Sequence, residues 1–408
     1  MVDVNGLQKN PATSFPSMAG TKSESIWTST FALLCLAQFL GYASHFLLTP
    51  TFPLYITDLG GSPFVVGLVL ASFAACSVLL RPAFGYWSDR WSEAGVLISG
   101  LLLHGASMIL CFVPAVSVTM IANGVRGIGW AGLNTGGYSL LASSAPIERR
   151  GEASGYYAGA QGSGTIFLPA IALWLIDAPF GGFRAVFFVS ATLAFTGAAA
   201  ALFLARGGGR AAQSRHVDSS MSLGAVIVLE REVLLPSAML FCLHLALPAV
   251  TSFLVLYARE IGIRNIAWYY VVGGATNLLA RPLLGRLSDK MGRARSLAAG
   301  FSLQILGLSL VVLVSTLGGL LVSGALFMLG NAIGCSTTLA LAMDRANPQR
   351  RGRAMATFSI AYPLGAGVGS LVIGSAVDLA GYYWMFLMAA GLEAIGLAVA
   401  FINWSKLK

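Results

Sequence analysis

The sequence predicts an all-α membrane protein with twelve transmembrane helices in two pseudo-symmetric six-helix bundles. Composition gives the first reason: 56% of the 408 residues are hydrophobic, 10% are charged, and the mean hydropathy is +0.77. About a quarter of the residues in a soluble domain are charged. Twelve apolar runs, each long enough to cross about 30 Å of hydrocarbon, give the second reason. A repeat of the chain at an offset of about 200 positions gives the third.

The repeat is clearest in a charged turn that follows an apolar run in each half. Segment 81–90, RPAFGYWSDR, returns at 281–290 as RPLLGRLSDK, with Arg, Pro, Gly, Ser, Asp and a final cation at matching positions. The sequence Arg149-Arg150-Gly151 returns in the same way as Arg350-Arg351-Gly352. The chain is therefore interpreted as a duplication of a unit of about 200 residues.

The predicted elements follow one another without a long soluble insertion. Residues 1–25 are polar and lack an apolar core, which predicts a disordered cytoplasmic tail and not a signal peptide. The first bundle is expected at 26–205, a cytoplasmic linker with a short interfacial helix at 206–232, the second bundle at 233–404 and a cytoplasmic tail at 405–408. The predicted spans are 27–56, 63–86, 94–113, 115–141, 152–177 and 183–205, then 233–258, 266–287, 294–315, 318–343, 353–378 and 382–404.

The loops between spans predict the orientation, because Lys and Arg stay on the cytoplasmic side of a membrane. With both termini inside, the outer loops hold only Arg184, Arg259 and Arg264, whereas the inner loops hold many more cations. We therefore expect a multi-pass protein of the cytoplasmic (inner) membrane. The net charge of +9 lies along one membrane face and needs only anionic lipid as a partner, so it does not indicate nucleic-acid binding.

Span 4 contains a charged residue in an apolar run, Arg126. A charge at this depth costs several kcal/mol unless it has a partner or water, so it is functional by default. Asn123, Arg126, Trp130 and Asn134 have the spacing of one helical face, and we expect that face to line a cavity. The alternative is a structural cation bonded to backbone carbonyl groups.

With these features the chain resembles the major facilitator superfamily of secondary transporters. The resemblance rests on two six-span halves and on the loop motifs Gly85-x-x-x-Asp89-Arg90 and Gly285-x-x-x-Asp289-Lys290. The first copy departs from the family pattern after Arg90. The resemblance implies that Asp89 meets the start of span 11 and Asp289 the start of span 5, and that these contacts bias the conformational equilibrium. The residues implied in this gating are Arg81, Gly85, Asp89, Arg90, Gly285, Asp289, Lys290 and Arg293.

The resemblance also implies a central cavity bounded by spans 1, 4, 7 and 10. Polar side chains within the spans are the candidates for binding a substrate there, although a single polar residue inside a membrane often serves only as a contact between helices. The candidates are Gln38, Tyr42, Asn123, Trp130, Asn134, Gln161, Asn277, Asn331 and Tyr362.

The stretch around Arg126 resembles a span-4 motif of proton-coupled members. Besides Arg126, the candidate proton-coupling residues are His45, His244 and Glu393, because few other ionisable groups lie inside the spans. For Glu393 the alternative is a protonated side chain packed against a neighbour such as span 3, where His104 lies. The sequence leaves open whether protons or sodium drive the cycle.

These observations predict a secondary active transporter working by alternating access. Gly159, Gly162 and Gly164 before Pro169 resemble a looser form of an antiporter motif and favour export. The first half has no acidic residue within its spans, which favours a small amphipathic solute that is neutral or anionic, such as a metabolite, drug or metal chelator. The alternative is a proton-coupled nutrient importer on the same fold, and a sensor or scaffold is a third possibility. The expected partners are the solute, protons or sodium, and lipid, and the family fold is usually sufficient as a monomer.

The sequence gives no support for an enzyme, a cofactor site or a metal site. Gly127-x-Gly129-x-x-Gly132 matches a dinucleotide-binding pattern, but it lies in an apolar span and follows no strand, as that pattern requires. No phosphate-binding loop for ATP is present. The five cysteines lie in apolar runs and have no metal-binding spacing.

Overall fold

The computed structural model describes residues 26–145, 149–207, 230–263, 265–347 and 351–407. In the first half, six helices occupy the six predicted spans. Hydroxyl groups cap two of them, since Thr28 accepts from the N–H of Phe31 and Ser92 from the N–H of Gly95. The helices are α1 (Ser29–Asp58), α2 (Pro63–Arg90), α3 (Glu93–Leu110), α4 (Val116–Ser144), α5 (Arg150–Asp177) and α6 (Phe183–Gly207).

The second half repeats this layout, but it differs from the predicted spans at two places. Its helices are α7 (Leu234–Leu245), α8 (Leu254–Glu260), α9 (Ala267–Met291), α10 (Arg293–Leu313), α11 (Leu317–Arg345), α12 (Arg351–Ile402) and the short α13 (Trp404–Leu407). Within the described residues, nine helical runs are long and apolar enough to cross a membrane. One of the nine, in α12, contains two of the predicted spans. Helices α4 and α9 occupy the remaining two of the twelve predicted spans.

The first departure is a break in span 7, which the sequence predicted as one span. Helix α7 ends at Leu245, and a π-helical turn at Ala249–Phe253 leads into α8. Pro248 has no backbone N–H and cannot complete the hydrogen bonding of a helix at this point. Short π-helical turns of this kind are frequent at functional sites.

The second departure is the junction of spans 11 and 12, which are joined without an irregular loop. Only Gly381 leaves the helical region, with φ 81° and ψ 175°. Residues with a side chain rarely adopt a positive φ, and glycine has no Cβ to oppose it. A single glycine therefore separates two spans where the sequence predicted a short break.

Glycines hold equivalent helices together in the two halves. A Cβ on Gly129 of α4 would lie 2.7 Å from the carbonyl oxygen of Gly100 in α3. A Cβ on Gly330 of α11 would lie 2.5 Å from the carbonyl oxygen of Gly300 in α10. The same contact thus recurs at an offset of about 200 positions, and the glycines around Arg126 serve helix packing.

The two halves pack along two lines, α2 against α12 and α5 against α9. Gly67 of α2 lies directly against the backbone of Ser370, and Gly274 of α9 lies against the backbone of Ile166. We name the end of the bundle with the α1–α2 turn the α1–α2 end, and the opposite end, with the α2–α3 turn, the α2–α3 end.

Several predicted features fall on residues that are not described. They are the tail at 1–25, the interfacial helix at 221–229 with most of the linker 206–232, and Lys408. For 281–290, 150–151 and 351–353 the structure describes the course of the backbone but not the side chains or their surroundings.

Candidate functional site

A cavity of about 180 Å³ lies between the two halves, near the middle of the bundle. Drug-sized ligands occupy clefts of about 300–1,000 Å³. In this conformation the cavity therefore has room only for a small solute. Its lining includes His45, Phe73, Arg126, Trp130 and Thr165 from the first half, and Thr251, Ser252, Tyr270, Met328 and Tyr362 from the second.

Arg126 is the charged group of this cavity and is 4% exposed. Its Nε donates to Oδ1 of Asn123 at 2.8 Å, one helical turn away on α4. Its guanidinium carbon lies 4.4 Å from the ring centre of Phe73 and 4.9 Å from that of Phe52. None of the Asp or Glu side chains in the described part of the chain forms an ion pair with it. The charge is thus held by an amide and two aromatic faces.

Asn123 fixes the position of this arginine. Its Nδ2 donates to the carbonyl oxygen of Val69 in α2 at 2.6 Å, so its Oδ1 is turned toward Arg126. Asn123 itself is fully buried and does not line the cavity. Of the predicted α4 face, Arg126 and Trp130 line the cavity, whereas Asn123 contacts Arg126 on the side away from the cavity.

His45 of α1 is the titratable neighbour of Arg126. Its Nδ1 lies 3.4 Å from Nη1 of Arg126, and its ring stacks on Trp130 with centres 4.1 Å apart. The ring of His104 on α3 lies further back, with its centre 6.4 Å from that of His45. An imidazole and a guanidinium therefore share one wall of the cavity.

The predicted polar residues of spans 1 and 5 mainly join helices. Tyr42 donates to Oδ1 of Asn134 at 2.6 Å, which links α1 to α4. Gln38 donates to the carbonyl oxygen of Leu133 at 3.1 Å and accepts from Nε2 of Gln161 at 3.2 Å. Gln38, Tyr42, Asn134 and Gln161 are not among the cavity-lining residues.

A second polar cluster lies in the other half, around His244 of α7. Its Nδ1 lies 2.7 Å from the carbonyl oxygen of Leu240, a geometry in which Nδ1–H donates, and its Nε2 lies 3.7 Å from the sulfur of Cys335. Asn277 donates to Oδ1 of Asn331 at 3.4 Å. The Tyr362 ring lies 4.5 Å from the His244 ring, and of these residues only Tyr362 lines the cavity.

Glu393 lies outside the cavity. It is fully buried in α12 beside the break in span 7, where it approaches the backbone N–H of Ala246 without forming a well-aligned hydrogen bond. Its surroundings belong to the second half, whereas His104 packs in the first half against Gly129. Glu393 therefore packs near Cys242 and Ala246 of the second half, and not against span 3 as the alternative interpretation had it.

The predicted gating residues are only partly brought together. Nη1 of Arg81 donates to Ser359 of α12, at 2.9 Å to the hydroxyl and 3.2 Å to the carbonyl oxygen, which joins the two halves. Asp89 is exposed and has no described partner, Arg90 stacks on Tyr86 at 4.8 Å, and Arg293 pairs with Asp344 at 3.3 Å.

Among the residues that the structure describes, a Cβ on Gly85 would meet no atom within 4 Å. The structure does not describe the surroundings of Gly285 or the side chains of Asp289 and Lys290. The expected partner of Asp89, at the start of span 11, is not described either. The contacts that the motifs imply for Asp89 and Asp289 therefore remain predictions.

Several residues in or beside the cavity gave weak signals in the sequence. Phe73 and Phe52 hold the Arg126 guanidinium, but aromatic residues in apolar runs are common. Thr251 and Ser252 lie in the π-helical turn after Pro248, and a polar pair just beyond a proline is the signal that would have pointed to them.

The sequence matches a known protein family and several named transporters. A sequence model described as Major Facilitator Superfamily matches residues 34–339 and 263–406. The chain is 25% identical over 392 residues to the multidrug resistance protein MdtG of Proteus mirabilis, covering 92% of this chain and 96% of that protein. It is 25% identical over 285 residues to the multi-drug resistance efflux pump PmrA of Streptococcus pneumoniae serotype 4, covering 66% of this chain and 70% of that protein.

Solved structures share the fold at low sequence identity. A POT family transporter in complex with 5-aminolevulinic acid matches with a TM-score of 0.78 at 14% identity, covering 93% of this chain and 96% of that chain. A bacterial homologue of the human lysosomal transporter Spinster matches with a TM-score of 0.77 at 13% identity, covering 94% and 98%.

Proposed function

Since the chain belongs to the major facilitator superfamily of membrane transporters, we propose that it exports a small amphipathic molecule, neutral or anionic, in exchange for protons. The cycle would be alternating access, in which the two halves expose the cavity first to one side of the membrane and then to the other. The observation that carries this proposal is the buried Arg126 in the cavity wall, next to a histidine and without a carboxylate partner among the described residues.

The charge of Arg126 argues against cationic solutes. A second positive charge at about 4 Å would be repelled by about 4 kcal/mol at an effective dielectric constant of about 20. That energy corresponds to roughly a thousandfold loss of affinity. The cavity would therefore take a neutral or anionic solute, and its aromatic lining would bind the apolar part of an amphipathic one.

The pair of Arg126 and His45 supports coupling to protons. A proton on His45, 3.4 Å from the guanidinium, would be repelled by about 5 kcal/mol at the same dielectric constant. Water that enters the cavity would reduce this cost, and a neutral solute that fills the cavity would remove that water. Solute and proton would then compete for one cavity, which is the requirement for exchange.

The same geometry favours a second candidate for an anionic solute, namely proton-coupled import. An anion bound beside Arg126 and His45 would attract both positive charges, so that solute and proton would bind together and move in the same direction. The relatives named as multidrug resistance and efflux proteins support export. Import is therefore the alternative.

We assign coupling to Arg126 and His45 because both line the cavity. His244 and Glu393 are buried away from it, and a role for them in proton movement is a weaker part of the proposal. A sodium ion in place of the proton is tested by the same experiment.

The orientation in the membrane is also part of the proposal. With both termini cytoplasmic, Arg90, Arg206 and Arg293 lie on the inner side, and the α1–α2 end faces outward. The protein would then act as a monomer in the inner membrane, with residues 1–25 as its cytoplasmic tail and 206–232 as the cytoplasmic link between the halves.

The test is proton flux in proteoliposomes with an imposed pH gradient and a panel of neutral, anionic and cationic solutes. We expect solute and protons to move in opposite directions, and R126A and H45Q to lower coupled transport by about 5- to 150-fold, the usual range of a coupling free energy. H244Q is the comparison variant, because it removes a buried histidine that does not line the cavity, and it should lower coupled transport less than H45Q.

Other outcomes would change the assignment. Solute movement without protons, restored by a sodium gradient, would mean a sodium-linked carrier. Protons that follow an anionic solute in the same direction would mean an importer. If H244Q abolishes coupling and H45Q does not, the coupling site lies in the second half.

A further inference from the structure

At the α1–α2 end of the molecule, a carboxylate of the second half forms hydrogen bonds with the first half. Oδ2 of Asp378, in the last turn of span 11, accepts a hydrogen bond from the hydroxyl of Ser62 at 2.8 Å and from the backbone N–H of Phe64 at 3.1 Å. Ser62 is the N-cap residue of α2, but its side chain forms no capping bond to its own helix. The cap of α2 thus comes from the other half.

Electrostatics favours this arrangement. The first N–H groups of a helix have no partner within it and carry a partial positive charge, so a carboxylate there is stabilising. Hydrogen bonds to an ionised acceptor are also stronger than those between neutral groups. The contact would be lost as soon as the two halves move apart at this end.

The backbones beside this contact are also in close approach. A Cβ on Gly374 would lie 2.5 Å from the carbonyl oxygen of Pro63, and Gly67 lies against the carbonyl of Ser370. Adjacent surfaces of α2 and α12 therefore meet without intervening side chains where Asp378 caps α2. This end of the interface is tightly closed in the present conformation.

The Arg81–Ser359 contact lies at the other end of the same helix pair. Nineteen positions separate Ser62 from Arg81 on α2, and nineteen separate Ser359 from Asp378 on α12. The helices run antiparallel, so the two polar contacts stand about 28 Å apart at 1.5 Å per residue. The distance between the two contacts is thus close to the thickness of the hydrocarbon core of a membrane.

We propose that Asp378 is a latch that holds the α1–α2 end closed, and that it opposes a second latch formed by Arg81 at the α2–α3 end. Opening toward either end breaks one contact and leaves the other. The ratio of the two open conformations is then set by the difference in strength between the latches. This inference rests on the geometry of the α2–α12 pair and not on proton coupling.

The test is a distance measurement between spin labels in the full-length protein, with the five native cysteines replaced. Labels at F180C and Y383C report on the α1–α2 end, because Phe180 and Tyr383 are exposed residues of different halves. Labels at W91C and I402C report on the α2–α3 end in the same way.

The contact is exposed to solvent, so we expect D378N to raise the population open at the α1–α2 end by about twofold to fivefold. S62A, which removes one donor and keeps the carboxylate, should shift it in the same direction but less. R81Q should open the α2–α3 end instead. D58N is the matched control, since Asp58 is exposed at the α1–α2 end and makes no described contact across the halves.

The proposal is overturned if D378N and S62A give the same distances as D58N while R81Q opens its own end. It is also overturned if D378N and R81Q shift the equilibrium in the same direction, because the two contacts would then not oppose each other. Neither result depends on whether protons drive transport, so a failure here is distinct from a failure of the proposed function.

Discussion

At the scale of single residues, the main feature is how a charge is kept in the membrane without a countercharge. Arg126 has one amide acceptor at 2.8 Å and two aromatic faces, and none of the described carboxylates pairs with it. Such a cation can respond to a solute, because no permanent ion pair has to be broken first. Its position depends on Asn123, which is tied to the backbone of α2 at Val69.

Asn123 is therefore expected to be essential although it does not line the cavity. N123A should lower the free energy of unfolding by about 1.5–3 kcal/mol, the value of a hydrogen bond to a charged group, and should reduce transport. N134A removes the acceptor of Tyr42 and should cost only about 0.5–1.5 kcal/mol. Chemical denaturation in detergent, followed by tryptophan fluorescence, measures both.

A restoring variant sharpens this test. N123Q keeps an acceptor oxygen for Arg126 and a donor for the carbonyl oxygen of Val69, so it should retain more stability than N123A. If N123A is as stable and as active as the native protein, Asn123 does not hold the arginine in place.

At the scale of helices, close packing depends on glycines at equivalent places in the two halves. Gly129 and Gly330 each bring a backbone against the neighbouring helix, where any side chain would collide with main-chain atoms. Backbone cannot move aside as a flexible side chain can, so the cost of a methyl group here is the cost of shifting a helix.

We expect G129A and G330A to be destabilised by similar amounts, about 1–3 kcal/mol, which is typical of overpacking. G391A is the control, because a Cβ at that position meets no atom of the described part of the chain within 4 Å, and alanine is the better helix former. Thermal unfolding in detergent compares the three variants. Equal midpoints for G129A and G391A would contradict the packing argument.

Much of the helix arrangement was predictable because the bilayer imposes it. Long apolar runs predicted the spans, and a charged residue within one of them singled out Arg126. The break in span 7 was not predicted as a break, because Pro248 alone does not say whether a helix bends or stops. The roles of Gln38 and Gln161 were also missed, since their contact joins residues 123 positions apart.

Contacts between the halves were the least predictable part of the site. Asp378 reads in the sequence as an ordinary acidic residue at the end of a span, and its partner Ser62 lies 316 positions away. The sequence places Glu393 in a span of the second bundle, but it does not show which neighbouring helices surround this side chain. Periodicity describes one helix at a time, and tertiary contacts require the packing.

At the scale of the whole molecule, the two halves meet along α2–α12 and α5–α9, with the cavity between these two lines. On the α5–α9 side, Gly274 lies against the backbone of Ile166, and Trp174 contacts Trp268 with ring centres 6.1 Å apart. A change at this contact should affect how the halves move and leave the packing within each half intact.

G274A is therefore expected to separate the halves on this side without unfolding either of them, because its Cβ would lie 2.7 Å from the Cα of Ile166. Transport should fall by about tenfold or more, as for a coupling term above about 1.4 kcal/mol. G391A is again the control, since its Cβ would meet no atom of the described residues within 4 Å and Gly391 does not line the cavity. Flux in proteoliposomes and thermal unfolding separate the two effects, and a large fall in the unfolding midpoint of G274A would contradict this prediction.

The matched spacing along α2 and α12 makes the thickness of the membrane relevant to the cycle. Two contacts about 28 Å apart join this pair into one rod, and sliding one helix along the other would break both contacts at once. A thinner or thicker bilayer can then be accommodated by tilting the pair as a unit. Lipid chain length would thereby set the tilt that the pair has when either of its ends opens.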